Sequence, residues 1–167
     1  EAEYLEMIRL KTAVLPAACL RTGAIVAAAA ATDADHLYQF GQNIGLAFQL
    51  KDDWLDVFGD EAVFGKKSGG DIIANKKTWL YIKAIELADE AQLEVLQMAY
   101  SNQIPDKDEK IMKVKEIFEA LQLNQLALQQ MELFHAKAQE HLSQIKVAED
   151  KKSKLIHLAE ELLNRIH

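Results

Sequence analysis

Gly45-Leu46-Ala47-Phe48-Gln49-Leu50-Lys51-Asp52-Asp53-Trp54-Leu55-Asp56 is the stretch of this 167-residue chain that decides its fold. Gln49, Asp52, Asp53 and Asp56 stand at i, i+3, i+4 and i+7. At 3.6 residues per turn they fall within an arc of about 100° on a helix. The residues around them, Leu46, Ala47, Phe48, Leu50, Trp54, Leu55, Val57 and Phe58, suit burial. The pattern predicts a helix from about Ala34 to Phe58, capped by Thr32 or Asp33 and stopped by Gly59.

Helical periodicity continues in both directions, with no convincing strand. Upstream, a helix is expected from about Ala2 to Ala31. Pro16 in its interior should kink it one turn beyond Lys11 and Thr12. Downstream, Gly59 to Gly70 holds four of the seven glycines and reads as a loop. The next helix is expected to start near Asp71 to Asn75 and to carry Trp79, Leu80, Ile82 and Ile85. Asp89 opens a short one ending near Tyr100, and a turn around Pro105 follows. Helices over Glu109–Leu121, Gln125–Ile145 and Asp150–Ile166 complete an all-α helix bundle.

Composition agrees. Half the residues are hydrophobic, with only two prolines. A net charge of −7 argues against nucleic-acid binding. The single cysteine excludes an intramolecular disulfide and a cysteine zinc cluster. Its neighbours Ala17, Ala18 and Leu20 mark Cys19 as a small buried residue in a protein of the reducing cytoplasm. Gly23 to Ala31, the longest apolar stretch, falls far short of the roughly 20 residues of a membrane span. The chain opens at Glu1 already inside a helical pattern, which points to a piece of a longer protein.

The carboxylates oppose local propensity. Asp is a poor helix former, and the C-terminal end of a helix disfavours negative charge. No Lys or Arg lies three or four positions from Asp52, Asp53 or Asp56. Like-charge pairs at that spacing cost about 0.2–0.5 kcal/mol each. A divalent cation offsets all of this, and hard oxygen donors suit Mg²⁺ held jointly with phosphate. Lys66, Lys67, Lys76 and Lys77 follow, with Lys11 upstream beside Thr12, as phosphate-binding charges. Gly69 and Gly70 permit a sharp turn or a close backbone approach.

At these residues the chain closely resembles the polyprenyl synthetase family, the trans-isoprenyl diphosphate synthases. Leu10-Lys11-Thr12-Ala13 is similar to the family's Lys-Thr segment. The stretch Gly45–Asp56 matches its second aspartate-rich motif, G-x-x-F-Q-x-x-D-D-x-x-D. Phe64-Gly65-Lys66-Lys67-Ser68-Gly69-Gly70-Asp71-Ile72 with Asn75-Lys76-Lys77-Thr78 matches its diphosphate-covering loop. Order and spacing agree over roughly the first half of the chain.

The resemblance implies the C-terminal part of the isoprenoid synthase fold, with residues 1–167 as the C-terminal half of the domain. It implies Mg²⁺ between two facing aspartate-rich motifs. Asp52 is the implied main ligand, Asp53 and Asp56 second or water-mediated ligands, and Asp71 their support. Lys11, Lys66 and Lys76 are implied to hold diphosphate oxygens, with Lys67 able to exchange with Lys66. Thr12 and Gln49 are implied to turn their oxygens toward a developing allylic cation. The implied substrates are isopentenyl diphosphate and an allylic diphosphate, and the implied full-length assembly is a homodimer. The first aspartate-rich motif is not among these residues, so the isolated chain is expected to be inactive. A non-catalytic partner subunit and a purely structural bundle are the alternatives.

His36, His135, His141, His157 and His167 share no metal-ligand spacing and read as surface or helix-end residues. Trp54, Trp79, Phe58 and Phe118 read as core.

Overall fold

Pro16 decides how the first helical stretch is built. It has no N–H to give, and its ring crowds the carbonyl of Thr12 four residues back. The chain responds upstream. Helix α1 (Ala2–Ile8) passes into a π-helical turn (Arg9–Ala13) before α2 (Val14–Val26) begins. The Val14 N–H reaches back five residues to the Arg9 carbonyl. The irregularity expected beyond Lys11 and Thr12 therefore falls on them. Helix α2 also stops short of Ala31, because Ala28 takes a left-handed φ of 56°. The Ala28 and Ala29 N–H groups return to the Ile25 and Ala24 carbonyls, closing the helix in a Schellman pattern.

The computed structural model describes residues 1–60 and 68–164, and every regular element among them is helical. Helix α3 (Ala31–Phe58) starts earlier than expected, so Thr32 and Asp33 lie within its first turn. Its end is as expected, with the Gly59 N–H bonding the Leu55 carbonyl at 2.9 Å. Then come α4 (Gly70–Ile73), α5 (Trp79–Leu87), α6 (Glu90–Tyr100), α7 (Lys107–Ala120), α8 (Leu123–Gln144) and α9 (Glu149–Asn164).

The single helix expected from near Asp71 onward is broken in two. Asn75 adopts a left-handed φ of 54°, leaving Lys76 and Lys77 in the connection between α4 and α5. Asparagine tolerates that conformation better than most side chains. Asp89 caps α6 in a capping box with Gln92, as its position predicts. Asp106 accepts the Glu109 N–H and starts α7 two residues ahead of expectation.

The chain divides into two compact units, and α3 contributes to each. Among the described residues, one comprises Asp52–Leu128 with Glu1, the other Ala2–Lys51 with residues 129–164. Leu55, Trp79, Leu80, Leu96, Val114, Phe118 and Leu123 are buried within the first. Trp54 and Phe58, expected in the core, are only partly buried there. The Trp54 indole donates to Asn124 Oδ1 at 2.7 Å.

In the second unit, Phe40 and Ile44 pack against Ala138, Leu142, Ile145 and Ala159. Small residues set the closest crossing: a Cβ on Gly45 would stand 2.5 Å from Ala13 Cα, and one on Gly41 2.8 Å from Ala17 Cα. The buried face of α2 thus runs through Ala17 and Ala24. Cys19 lies two residues from Ala17, on the opposite side, and is exposed rather than buried. No helix among the described residues is long and apolar enough to cross a membrane.

Two glycine substitutions should have opposite signs. Gly45→Ala forces Ala13 and α3 apart and should lower stability by about 1–3 kcal/mol. A Cβ on Gly23, in α2, meets nothing within 4 Å. Gly23→Ala should therefore raise stability by about 0.5–1 kcal/mol. Urea unfolding of both variants checks the pair.

Candidate functional site

The Gly45–Ala13 crossing positions the first pair of candidate side chains. Thr12 precedes Ala13 on the π-turn, and Gln49 lies one turn beyond Gly45 on α3. Thr12 Oγ1 donates to Gln49 Oε1 at 2.9 Å in a partly buried setting, linking residues 37 apart in sequence. Lys11, beside Thr12 on the same turn, is exposed.

The carboxylates stand at the end of α3. Asp53 is buried, and Asp52 and Asp56 are partly buried. Asp56 reaches forward to the glycine turn that opens α4. Its Oδ2 accepts the Asp71 N–H at 2.8 Å, and its backbone carbonyl accepts the Gly69 N–H at 2.6 Å. Gly69 is needed for its left-handed φ of 86°. At Gly70 a Cβ would stand 3.1 Å from Asp56 Oδ1, so any larger residue there presses on that carboxylate. The N–H groups of α4's first turn so offset part of the charge that the end of α3 disfavours.

Lys76 supplies the cation that helical spacing does not. Its Nζ pairs with Asp71 Oδ1 at 2.5 Å. The Asp71 carboxylate raises the Lys76 pKa, and Asp56 and Asp53 push it the same way. With 62% of its side chain exposed, Lys76 sits in a surface-type pair of small energy. An incoming anion can therefore recruit it.

Burial, opposed by the Asp71 N–H, holds the Asp56 carboxyl above its ordinary range. Tyr100 is likewise raised, mainly by burial, with Tyr81, Asp71 and Asp56 adding to it. Part of each shift reports the negative potential around Asp56 and Asp71.

Lys110 was not expected at this site. It is 3% exposed, and its Nζ donates to Asn75 Oδ1 and, at 3.4 Å, to the Ile73 carbonyl. It thereby fixes the left-handed turn that delivers Lys76. The signal was present in sequence, since Lys110 falls on the apolar stripe of Val114 and Ile117 at helical spacing. Burial lowers its pKa.

The structure thus brings Thr12 to Gln49, and Asp56 to Asp71 and Lys76. Lys77 is exposed. Lys66 and Lys67 lie outside the described residues. Among the described residues no three His, Cys, Asp or Glu side chains converge on a common metal position.

The sequence profile of the polyprenyl synthetase family matches residues 1–121, and the chain belongs to that family. It is 36% identical over 168 residues to a short chain isoprenyl diphosphate synthase of Methanothermobacter thermautotrophicus, covering 100% of this chain and 50% of that one. A solved geranylgeranyl pyrophosphate synthase superposes with a TM-score of 0.88 at 37% identity, over 99% of this chain and 52% of the other. A geranylgeranyl pyrophosphate synthase from Corynebacterium glutamicum, solved with isoprenyl diphosphate and magnesium, gives a TM-score of 0.85. Its identity is 28%, over 97% of this chain and 46% of the other. The chain spans about half the length of the relatives it matches.

Asp56 variants separate its charge from its capping role. Asp56→Ala loses the acceptor for the Asp71 N–H and should cost about 0.5–2 kcal/mol. Asp56→Asn keeps an acceptor and removes the charge, so it should match or exceed the parent at neutral pH. Because the native carboxyl titrates above its ordinary value of 3.8, the folded chain binds this proton more readily than the unfolded one. Stability from this group therefore falls as pH rises through that window and is level above it. Any advantage of Asp56→Asn should fade as pH drops toward the ordinary value, which denaturant titrations across that range measure.

Proposed function

We propose that residues 1–167 are the C-terminal half of a polyprenyl synthetase domain. In the full-length protein they serve a trans-prenyltransferase that joins isopentenyl diphosphate to an allylic diphosphate. The reading rests on family membership, and the observation that carries it is the meeting of Asp56, Asp71 and Lys76 at the end of the aspartate-rich helix. Carboxylates alternate there with a recruitable ammonium, a donor set suited to a metal–diphosphate pair.

The residues fit Mg²⁺. Their donors are hard oxygens, and this ion commonly takes one or two carboxylates with phosphate oxygens and water. Asp52 would be the main ligand, Asp53 and Asp56 second or water-mediated ligands, and Asp71 their support through the α4 turn. When bound, Mg²⁺ supplies charge neutralisation to the departing diphosphate. The magnesium and isoprenyl diphosphate named for the C. glutamicum relative support this choice.

The chain's own residues do the rest. Lys11, Lys66 and Lys76 hold diphosphate oxygens, with Lys67 able to replace Lys66, and favour ionisation of the allylic carbon–oxygen bond. Thr12 and Gln49, already hydrogen-bonded to each other, present oxygen dipoles to the allylic cation. The isopentenyl double bond attacks that cation, and loss of a proton restores an alkene. The family's full-length homodimer and the missing first aspartate-rich motif belong to the same proposal.

A thermal-shift titration of the full-length protein tests it, with Mg²⁺ and a non-reactive allylic diphosphate analogue. Stabilisation should require both ligands together and vanish in Asp52→Ala. That variant should also lose about 10²–10³-fold or more in turnover. An Asp52→Ala protein that responds as the parent does would instead favour a structural helix bundle.

A further inference from the structure

Tertiary packing brings together two histidines that sequence reading left apart. His36 on α3 and His141 on α8 are 105 residues distant, yet their Nδ1 atoms lie 3.2 Å from each other. Both are partly buried, and their rings are tilted by 44° with centroids 5.5 Å apart. Both belong to the unit that contains Ala2–Lys51 and residues 129–164.

We propose that His36 and His141 form a two-imidazole site for a late first-row divalent cation, Cu²⁺, Ni²⁺ or Zn²⁺, that clamps α3 to α8. With metal–nitrogen bonds of about 2.0–2.1 Å, two donors on one ion stand roughly 2.9 Å apart in square-planar and 3.4 Å in tetrahedral geometry. The observed separation lies between these limits. Without metal, the 3.2 Å contact is a hydrogen bond in whichever tautomer pair places one hydrogen between the two Nδ1 atoms. With metal, both rings carry their hydrogen on Nε2, so each neutral imidazole offers a lone pair and no net proton is lost.

The support is rigid, as a metal site needs. Phe40, one turn beyond His36, and Leu142, next to His141, are each 2% exposed in the same apolar cluster. Asp33 lies one turn before His36 and accepts the Lys146 N–H at 3.4 Å, just past the end of α8. Its charge favours a cation nearby. Imidazole selects copper, nickel and zinc over magnesium, so this site is chemically distinct from the carboxylates at the other end of α3.

The test is thermal unfolding of the full-length protein in Mg²⁺ buffer, titrated with Zn²⁺ and separately with Ni²⁺. At 100-fold excess over Kd, either ion should raise Tm by about 3 °C or more. The shift should disappear in His36→Gln and in His141→Gln. His157→Gln, which alters an exposed pair with Glu161, should retain it. No shift in the parent, or an equal shift in the His36 and His141 variants, overturns the proposal. If either variant fails to fold, electron paramagnetic resonance of the parent with one equivalent of Cu²⁺ decides. Two equatorial nitrogen donors support the site, and oxygen-only or single-nitrogen coordination refutes it.

Discussion

The close approach of Gly45 to Ala13 is the constraint on which much of the chain depends. Helices normally pack 8–10 Å apart, with side chains between them. Here glycine on one helix and alanine on the other leave room for nothing larger, since a Cβ at Gly45 would fall 2.5 Å from Ala13 Cα. That contact sets where the neighbours of both residues go. Thr12 and Gln49 can share a hydrogen bond only because the backbones beneath them are this close. Thr12 stands on the π-turn that precedes Pro16.

The end of α3 presents a second balance. Three aspartates near a helix C-terminus are locally unfavourable, and the fold offsets part of that with the α4 turn. Asp56 is at once a candidate ligand and a cap, its carboxylate accepting the Asp71 N–H, so only a substitution that keeps an acceptor oxygen leaves the cap in place. Lys110 completes the arrangement from α7 by fixing Asn75, after which the chain turns and delivers Lys76 to Asp71. A buried lysine far from the motif thus governs where an exposed one stands.

Much of the site was legible because its residues are close in sequence. The i, i+3, i+4, i+7 spacing placed Gln49 and the aspartates on one helix face, and Gly69-Gly70 marked a turn that the structure contains. Asp89 announced a helix start through capping chemistry, whereas Asp106, read as part of the turn around Pro105, caps α7 two residues before the expected start. Less legible were features decided by partners distant along the chain. The exposure of Cys19 follows from which stripe of α2 meets α3, and alanine-rich neighbours hide that choice. The break at Asn75 depends on Lys110, 35 residues later. The pairing of His36 with His141 spans 105 residues.

Sequence alone determined that this is an all-helical chain of the polyprenyl synthetase type, with an aspartate-rich helix followed by a glycine turn and lysines. Periodicity and motif spacing are local, and local backbone geometry carries them. The tertiary structure alone decided that Asp56 caps the turn bearing Asp71, that Lys76 supplies the missing positive charge, and that two histidines face each other. Those outcomes require segments to approach through packing of small and apolar side chains, which no local pattern encodes.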